Sequence, residues 1–391
     1  MIKVGDEIEI KIEKMANRGK GLARVNDQVV FVPYSAPDDV LKVKVLKVSK
    51  NFVDADIIQI LKPSPIRVTA PCPHFTHCGG CDFQHIDYPK QVEIKDSLVK
   101  ETLKRALSIT DSSIFMAPIY SPKVTNYRNR IQIHIENGQF GFKKRNSNTI
   151  IPVENCLIAE KAINEELGLL KSSKDILNSE KIELVLDKNL AVHRRDLNSL
   201  GQPQLFSQVN RFANDVLVDL VLNRVLAAQS KAKIYDLYSG DGNFLLAISK
   251  ALPGHDCFGI EMNPGLVNLG RSQANLLKLK AKFILSNVEK YAESALFDTS
   301  DILVLDPPRT GCDAKLMMIL GSASRKKVIY VSCEPTTLAR DLRLLKETAS
   351  NWGLSLKFES VQTIDMFPQT EHIETVVEFS IDKIDTTKTT H

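Results

Sequence analysis

Along this chain the period of apolar positions changes, and the change divides it. Ile8, Ile10 and Ile12 alternate with Glu9, Lys11 and Glu13, the period of a strand with one buried face. Further strand-like runs lie at Val29–Val32, Val40–Val48 and Phe52–Ile60, separated by turn residues such as Asn17-Arg-Gly19 and Pro37-Asp-Asp39. Several short strands between such turns predict a small, OB-like β-barrel over residues 1–61. Pro63-Ser-Pro65 reads as a stiff linker. A helix is predicted over 89–107, with apolar residues at Val92, Leu98, Val99, Leu103 and Leu107. The remainder of a central domain, 62–204, reads as strands, with Ile131–Ile135 alternating most clearly.

From residue 205 short apolar runs alternate with helical segments. Strands are predicted at Lys233–Tyr238, Asp256–Ile260, Lys282–Leu285, Asp301–Leu305 and Val328–Val331, and helices near 243–250, 264–279, 313–320 and 335–350. This alternation predicts a parallel, doubly wound, Rossmann-like sheet. Leu356–Thr363 and Glu374–Ile381 read as an antiparallel pair closing it. Residues 382–391 are polar, and a disordered tail is expected there. The fold class is therefore α/β, with an N-terminal barrel and a central α+β domain.

Charge and composition narrow the partners only slightly. A formal charge of +4 permits a nucleic-acid partner without demanding one. No stretch has the length and apolarity of a membrane-spanning helix, and the first residues lack the apolar core of a signal peptide. A cytoplasmic protein, monomeric and with no membrane partner, is expected. Seven cysteines, three of them within residues 72–81, suggest metal before disulfide in a reducing compartment.

The chemistry concentrates in a few stretches. Cys72, Cys78 and Cys81 have the spacing C-x5-C-x2-C, and Gly79-Gly80 lets the backbone fold tightly around a metal centre. Cys156 is the best candidate for a fourth ligand. Four thiolates suit zinc or an iron–sulfur cluster, and spacing alone does not choose. Tyr127-Arg-Asn-Arg130, Lys143-Lys-Arg145 and His193-Arg-Arg195 read either as solvated strand edges or as a nucleic-acid surface. Ser239-Gly-Asp-Gly242 is a glycine turn after the first parallel strand. It lacks the third glycine of the dinucleotide fingerprint. Glu261, ending the next strand, suits the ribose of an adenosine. Asp236 and Asp241 disfavour a pyrophosphate and favour a cationic sulfonium, so S-adenosylmethionine fits better than NAD. Asp306-Pro-Pro308 fixes an acid at the mouth of the sheet. Cys333 ends the fifth strand, and Phe367–Glu374 offers His372 and two carboxylates as bases.

Together these stretches resemble the RNA 5-methyluridine methyltransferase family, and most of all its iron–sulfur-containing 23S ribosomal RNA branch, over nearly the whole chain. The resemblance implies a TRAM domain at residues 1–61. It also implies a [4Fe–4S] cluster on Cys72, Cys78, Cys81 and Cys156, and a SAM-dependent methyltransferase domain over 205–391. Phe206-Ser-Gln-Val-Asn210 matches a family motif whose glutamine, here Gln208, contacts the cofactor. Tyr238, Asn243, Glu261, Asn287 and Asp306 fall on further cofactor positions. Cys333 matches the nucleophile that adds to uracil C6, and Glu374 the base that removes the C5 proton. The implied partner is RNA: 23S ribosomal RNA, with transfer RNA as the alternative. An inactive RNA-binding assembly factor is the reading from another class. Three residues depart from the family: Glu334 stands for Asn, Ser239 for Cys and Gln369 for His. A carboxylate at 334 disfavours a Cys333 thiolate unless it points away.

Overall fold

The computed structural model describes residues 2–136, 138–170, 180–187, 189–197, 208–228, 232–295 and 297–384. Its N-terminal unit is a six-stranded sheet of β1 (Glu7–Lys11), β2 (Lys14–Ala16), β3 (Lys20–Val25), β4 (Gln28–Pro33), β5 (Val40–Val48) and β6 (Phe52–Lys62). The spatial order is β1-β5-β6-β4-β3-β2. Alternate residues Ile10, Val30, Val32, Leu41, Val43 and Val53 form its core. β1 pairs only with β5 and β2 only with β3, and they do not pair with each other, so the unit is a half-barrel, where the sequence predicts a small barrel. β2 has only three residues, and Ile12 N–H turns to the Asp39 carbonyl (2.9 Å).

The Pro63–Pro65 linker is fastened to this sheet. Ser64 N–H donates to Asp39 Oδ1 (2.8 Å), and Arg67 donates to both oxygens of that fully buried carboxylate (2.7 Å each). The central domain holds a five-stranded antiparallel sheet, ordered β11-β10-β7-β8-β9. These strands are β7 (Arg130–Glu136), β8 (Gln139–Lys143), β9 (Ile150–Pro152), β10 (Lys181–Leu186) and β11 (Val192–Asp196). Helix α2 (Lys161–Leu170) packs Ile163, Leu167 and Leu170 on Ile131, Ile133 and Leu184.

The C-terminal sheet has seven strands in the order β14-β13-β12-β15-β16-β18-β17. Those from β12 to β16 are β12 (Ile234–Leu237), β13 (Cys257–Glu261), β14 (Ala281–Leu285), β15 (Ile302–Leu305) and β16 (Arg325–Ser332), all mutually parallel. The hairpin β17 (Leu354–Ile364) and β18 (Glu374–Lys383) joins β16 antiparallel. Strands buried on both faces need apolar residues at odd and even positions alike. Leu303, Leu305, Val328 and Tyr330 face one core, and Ile302, Val304, Ile329 and Val331 face the other. The first core is covered by α1 (Tyr88–Leu107), α6 (Val288–Ser294), α7 (Ala314–Gly321) and α8 (Pro335–Asn351). The second is covered by α3 (Arg211–Leu226), α4 (Leu245–Ala251) and α5 (Pro264–Leu276).

Two features of this packing are not evident from sequence. Helix α1 lies before residue 204, yet Val99, Leu103 and Leu107 belong to the core of the parallel sheet. Phe115 and Ile119 bridge Val361 and Ile364 at the edge of the same sheet. Of the expected tail, Asp382 and Lys383 extend β18, and residues 385–391 lie outside the described residues. No helix among the described residues is long and apolar enough to cross a membrane.

Candidate active site and cysteine cavity

The register of β16 and β18 builds the catalytic candidates. Ser332 pairs with Thr375 across the antiparallel ladder. The next residue on one strand is Cys333, and the preceding residue on the other is Glu374, so the two meet at the same end of the sheet. Asp306 follows β15, the parallel neighbour of β16, and reaches the same edge. Arg309 follows three residues later.

Glu374 is buried and Cys333 half-buried. Burial, then the Glu374 and Asp306 carboxylates, push the Cys333 thiol up to about 12, with Arg309 pulling the other way. Burial also drives Glu374 well above the usual carboxylate range, and Asp306 up to about 7. The resting pocket thus favours protonated groups, and positive charge is what would ionise them.

The Glu334 carboxylate is engaged at the start of α8. Glu334 is the N-cap of that helix, its Oε1 accepting from Thr336 N–H (3.3 Å) and Thr336 Oγ1 (2.7 Å). Capping is what an asparagine there would also do. Gln369 exchanges hydrogen bonds with Gln91 of α1: Gln91 Nε2 donates to its Oε1 (3.0 Å), and its N–H donates to Gln91 Oε1 (3.0 Å). Its carbonyl accepts from Asp82 and Phe83 N–H (2.8 and 3.0 Å). The loop before Glu374 is thereby tied to the end of the cysteine loop. Burial and nearby cations, Arg309 first among them, lower His372 to about 4. Its ring is neutral, and Arg309 Nη2 donates to its Nε2 (3.4 Å). Lys95 passed unnoticed in the sequence. It is completely buried, donates to Asp365 Oδ1 (2.9 Å) and the Phe367 carbonyl (3.1 Å), and lines the cavity at Cys333. Its signal was a lysine on the buried face of an amphipathic helix.

The cofactor candidates fall into two groups. Tyr238, Glu261 and Asn287 line one cavity of about 570 Å³ at the carboxyl ends of β12, β13 and β14, with Met262, Val288 and Pro308. Glu261 also braces the glycine turn, accepting from Gly240 N–H (3.1 Å) and Asn263 N–H (2.8 Å). Tyr238 donates to Glu289 (2.8 Å), and Asn287 caps α6. Gln208, Asn243 and Asp306 do not line this cavity. Asn243 pairs with Asn214 of α3 in both directions (2.9 Å), and the Gln208 carbonyl accepts from Asn129 (2.9 Å). In the same motif Asn210 caps α3 and donates to Ser121 and the Met366 carbonyl. Phe206 and Ser207 lie outside the described residues.

Cys72, Cys78, Cys81 and Cys156 line a single cavity of about 620 Å³. His74 also borders it, whereas His77 is exposed. The cysteine loop is zipped to the β8–β9 hairpin by Gly79 N–H donating to the Lys143 carbonyl (3.0 Å). A Cβ on Gly79 would lie 3.0 Å from that oxygen and 3.1 Å from Arg145 N, so the close approach requires glycine. Cys156 is fixed by Asn164, which accepts from its N–H (2.8 Å) and donates to its carbonyl (3.0 Å). Burial raises the thiols of Cys78, Cys81 and Cys156, and the cysteines raise one another. Among the described residues, no three ligand-type side chains converge on the position of a single ion.

Comparisons with known proteins agree with this architecture. The TRAM domain family matches residues 2–58, and the tRNA (Uracil-5-)-methyltransferase family matches residues 287–381. An uncharacterized RNA methyltransferase of Bdellovibrio bacteriovorus is 38% identical over 383 residues, covering 97% of this chain and 96% of its own. One from Aquifex aeolicus is 29% identical, covering 94% and 97%. The crystal structure of the Pyrococcus abyssi tRNA (uracil-54, C5)-methyltransferase with S-adenosyl-L-homocysteine superposes with a TM-score of 0.73. It is 22% identical and covers 95% of this chain and 100% of its own, which establishes a shared fold. The chain belongs to the RNA methyltransferase family, and its C-terminal part carries the uracil-5-methyltransferase domain.

Proposed function

We propose that this RNA methyltransferase is SAM-dependent and forms 5-methyluridine, with Cys333 as nucleophile and Glu374 as base. The observation that carries the reading is the Ser332–Thr375 register, which delivers a thiol and a buried carboxyl to one point beside Asp306 and Arg309. Uracil C5 is too weak a nucleophile to take a methyl group unaided, and covalent catalysis answers this. Cys333 thiolate adds to C6, and the electron pair of the C5–C6 bond moves toward C5 and O4. When bound, S-adenosyl-L-methionine would supply the electrophilic methyl group that C5 accepts, and would leave as S-adenosyl-L-homocysteine. Glu374 takes the C5 proton, and the C6–S bond breaks as the C5–C6 double bond returns. Arg309 favours the ionised forms of both Cys333 and Glu374, and positive charge beside Asp306 acts in the same sense. Gln208, Tyr238, Asn243, Glu261, Asn287 and Asp306 are the proposed cofactor residues.

The four-cysteine cavity is proposed to hold a [4Fe–4S] cluster. What supports this reading is that all four cysteines of the family pattern line one cavity. Protein purified without oxygen should carry iron and acid-labile sulfide in equal amounts. Zinc without sulfide would refute the assignment.

The target is proposed to be 23S ribosomal RNA, on the combination of a TRAM domain with the cysteine quartet. The test is expression in a strain lacking its own RNA 5-methyluridine enzymes, with the mark mapped by mass spectrometry. A mark in 23S RNA supports both reaction and substrate. A mark in transfer RNA keeps the reaction and overturns the substrate. No mark in either overturns both.

A further inference from the structure

Two cavities flank the catalytic edge, and they share a wall. One, of about 190 Å³, runs from Asn17 and Arg18 of the N-terminal sheet past Lys95 to Cys333 and Glu334. The other is a trough lined by Arg128, Lys143, Lys144, Arg145 and Arg309. Glu371 and His372 line both, so they form the ridge between trough and nucleophile. Arginines from three parts of the fold act on the Glu371 carboxylate: Arg145 from the central domain, Arg18 from the N-terminal sheet and Arg309 from the catalytic sheet. These cations therefore act together on one carboxyl at the mouth, which burial pushes up, and Arg145 also pairs with Asp82.

The N-terminal sheet is held against this mouth by design of its backbone. Arg18 sits in the left-handed region (φ 66°, ψ 27°), uncommon for a residue with a side chain. Gly19 follows at φ 64°, and a Cβ there would stand 3.1 Å from Asp82 and 3.3 Å from Glu371. A side chain at position 19 would crowd the loop that carries the ridge. Arg18 itself is exposed and makes no hydrogen bond or ion pair among the described residues. Its guanidinium is available to a ligand, and its place is beside the cavity of Cys333.

We propose that the RNA strand enters along the basic trough and crosses the Glu371–His372 ridge. It is held on both sides of the target nucleotide, by Arg145 with Lys144 in the trough and by Arg18 of the N-terminal sheet at the Cys333 cavity. Arg18 is then a positioning residue for the reaction rather than part of a remote RNA tether. The inference rests on the uridine reading above. The two prolines of Asp306-Pro-Pro308 and the cap of α8 fix the floor of the site, while the Arg18 turn supplies a wall from another domain.

The test compares Arg18→Ala with Lys326→Ala, an exposed cation at the opposite end of β16 from Cys333. Binding of the full chain to a labelled single-stranded oligouridylate is titrated at several salt concentrations, and single-turnover methylation is followed on the RNA that the wild type modifies. Arg18→Ala should flatten the salt slope by about 0.7, one phosphate on a single strand, and lower the single-turnover rate about tenfold. Lys326→Ala should change neither. Gly19→Ala keeps every charge but displaces the turn, so it should lower the rate and leave far-UV circular dichroism unchanged. Equal behaviour of Arg18→Ala and Lys326→Ala, with an active wild type, would overturn the inference. A wild type that methylates no RNA would instead overturn the uridine reading on which it rests.

Discussion

The proposed catalytic pair and the cysteine quartet are assembled by different means. Cys333 and Glu374 stand at the ends of two hydrogen-bonded strands, and the ladder that brings them together is continuous with the core. The four cysteines come from a loop, tied to the β8–β9 hairpin by Gly79 to Lys143, and from a distant segment, where Asn164 holds Cys156. A site built on register inherits the rigidity of the sheet. A site built on loops depends on whatever closes them, and a bound cluster is such a closure. The two sites should therefore fail separately.

The sharpest separation comes from the nucleophile. Cys333→Ala should lower methyl transfer by about 10⁴-fold or more, while iron content and RNA affinity stay at wild-type values. Retained turnover would remove Cys333 from the mechanism. Glu374→Gln comes next, with turnover down about 10²–10⁴-fold. Because the proton at C5 can no longer leave, a covalent RNA adduct should accumulate and appear on denaturing gels. Product release at the normal rate would point to another base.

On the other side, Cys156→Ser should lose iron and sulfide together, and the thermal midpoint should fall by about 5 °C. Alkylation of Cys333 in that variant should match the wild type. A changed Cys333 alkylation rate would show that the two sites are mechanically joined.

The titration of Cys333 offers a finer check. Burial and the neighbouring carboxylates hold the thiol at about 12, above the range of ordinary assays. The thiolate fraction, and with it the alkylation rate, should rise about tenfold per pH unit from about pH 7 to 10. A plateau below about pH 9 would mean that Arg309 dominates instead. The smallest effect is expected at the departure from the family pattern. Glu334→Asn should keep the cap of α8, change stability by only a few tenths of a kcal/mol, and leave the pH–rate profile unmoved. A shifted profile would mean that the 334 carboxylate does reach the thiol.

Two of the family departures acquire physical meaning in the structure. The glutamate that seemed to oppose thiolate formation caps a helix, and Gln369 forms a reciprocal amide pair with Gln91. The cap is local, with Thr336 two residues on as its partner, but the role of Gln369 is not readable from neighbours in sequence, because its partner is chosen by tertiary packing. Gln91 and Gln369 are 278 residues apart. The same holds for Lys95, whose burial beside Asp365 appears only once α1 is packed on the catalytic core.

Local pattern determined a great deal. Period-two alternation located β1 and β7, and the long apolar strands β5 and β6. The blocks after residue 233 located the parallel strands and their order of appearance, since strands buried on both faces leave dense apolar runs. Helix α3 escaped because Arg211–Leu226 carries apolar residues on several faces. The residue types of the site were also legible: a cysteine at a strand end, an acid before Pro-Pro, and three closely spaced cysteines. Tertiary structure alone decided which of them meet. The β16–β18 register set Cys333 against Glu374. The open edge between β1 and β2 made a half-barrel of the N-terminal unit, and the left-handed turn at Arg18 carried that unit to the catalytic mouth. Local sequence fixes the conformation of short segments through sterics and burial period. Long-range pairing depends on which surfaces exclude water together, and that is a property of the whole chain.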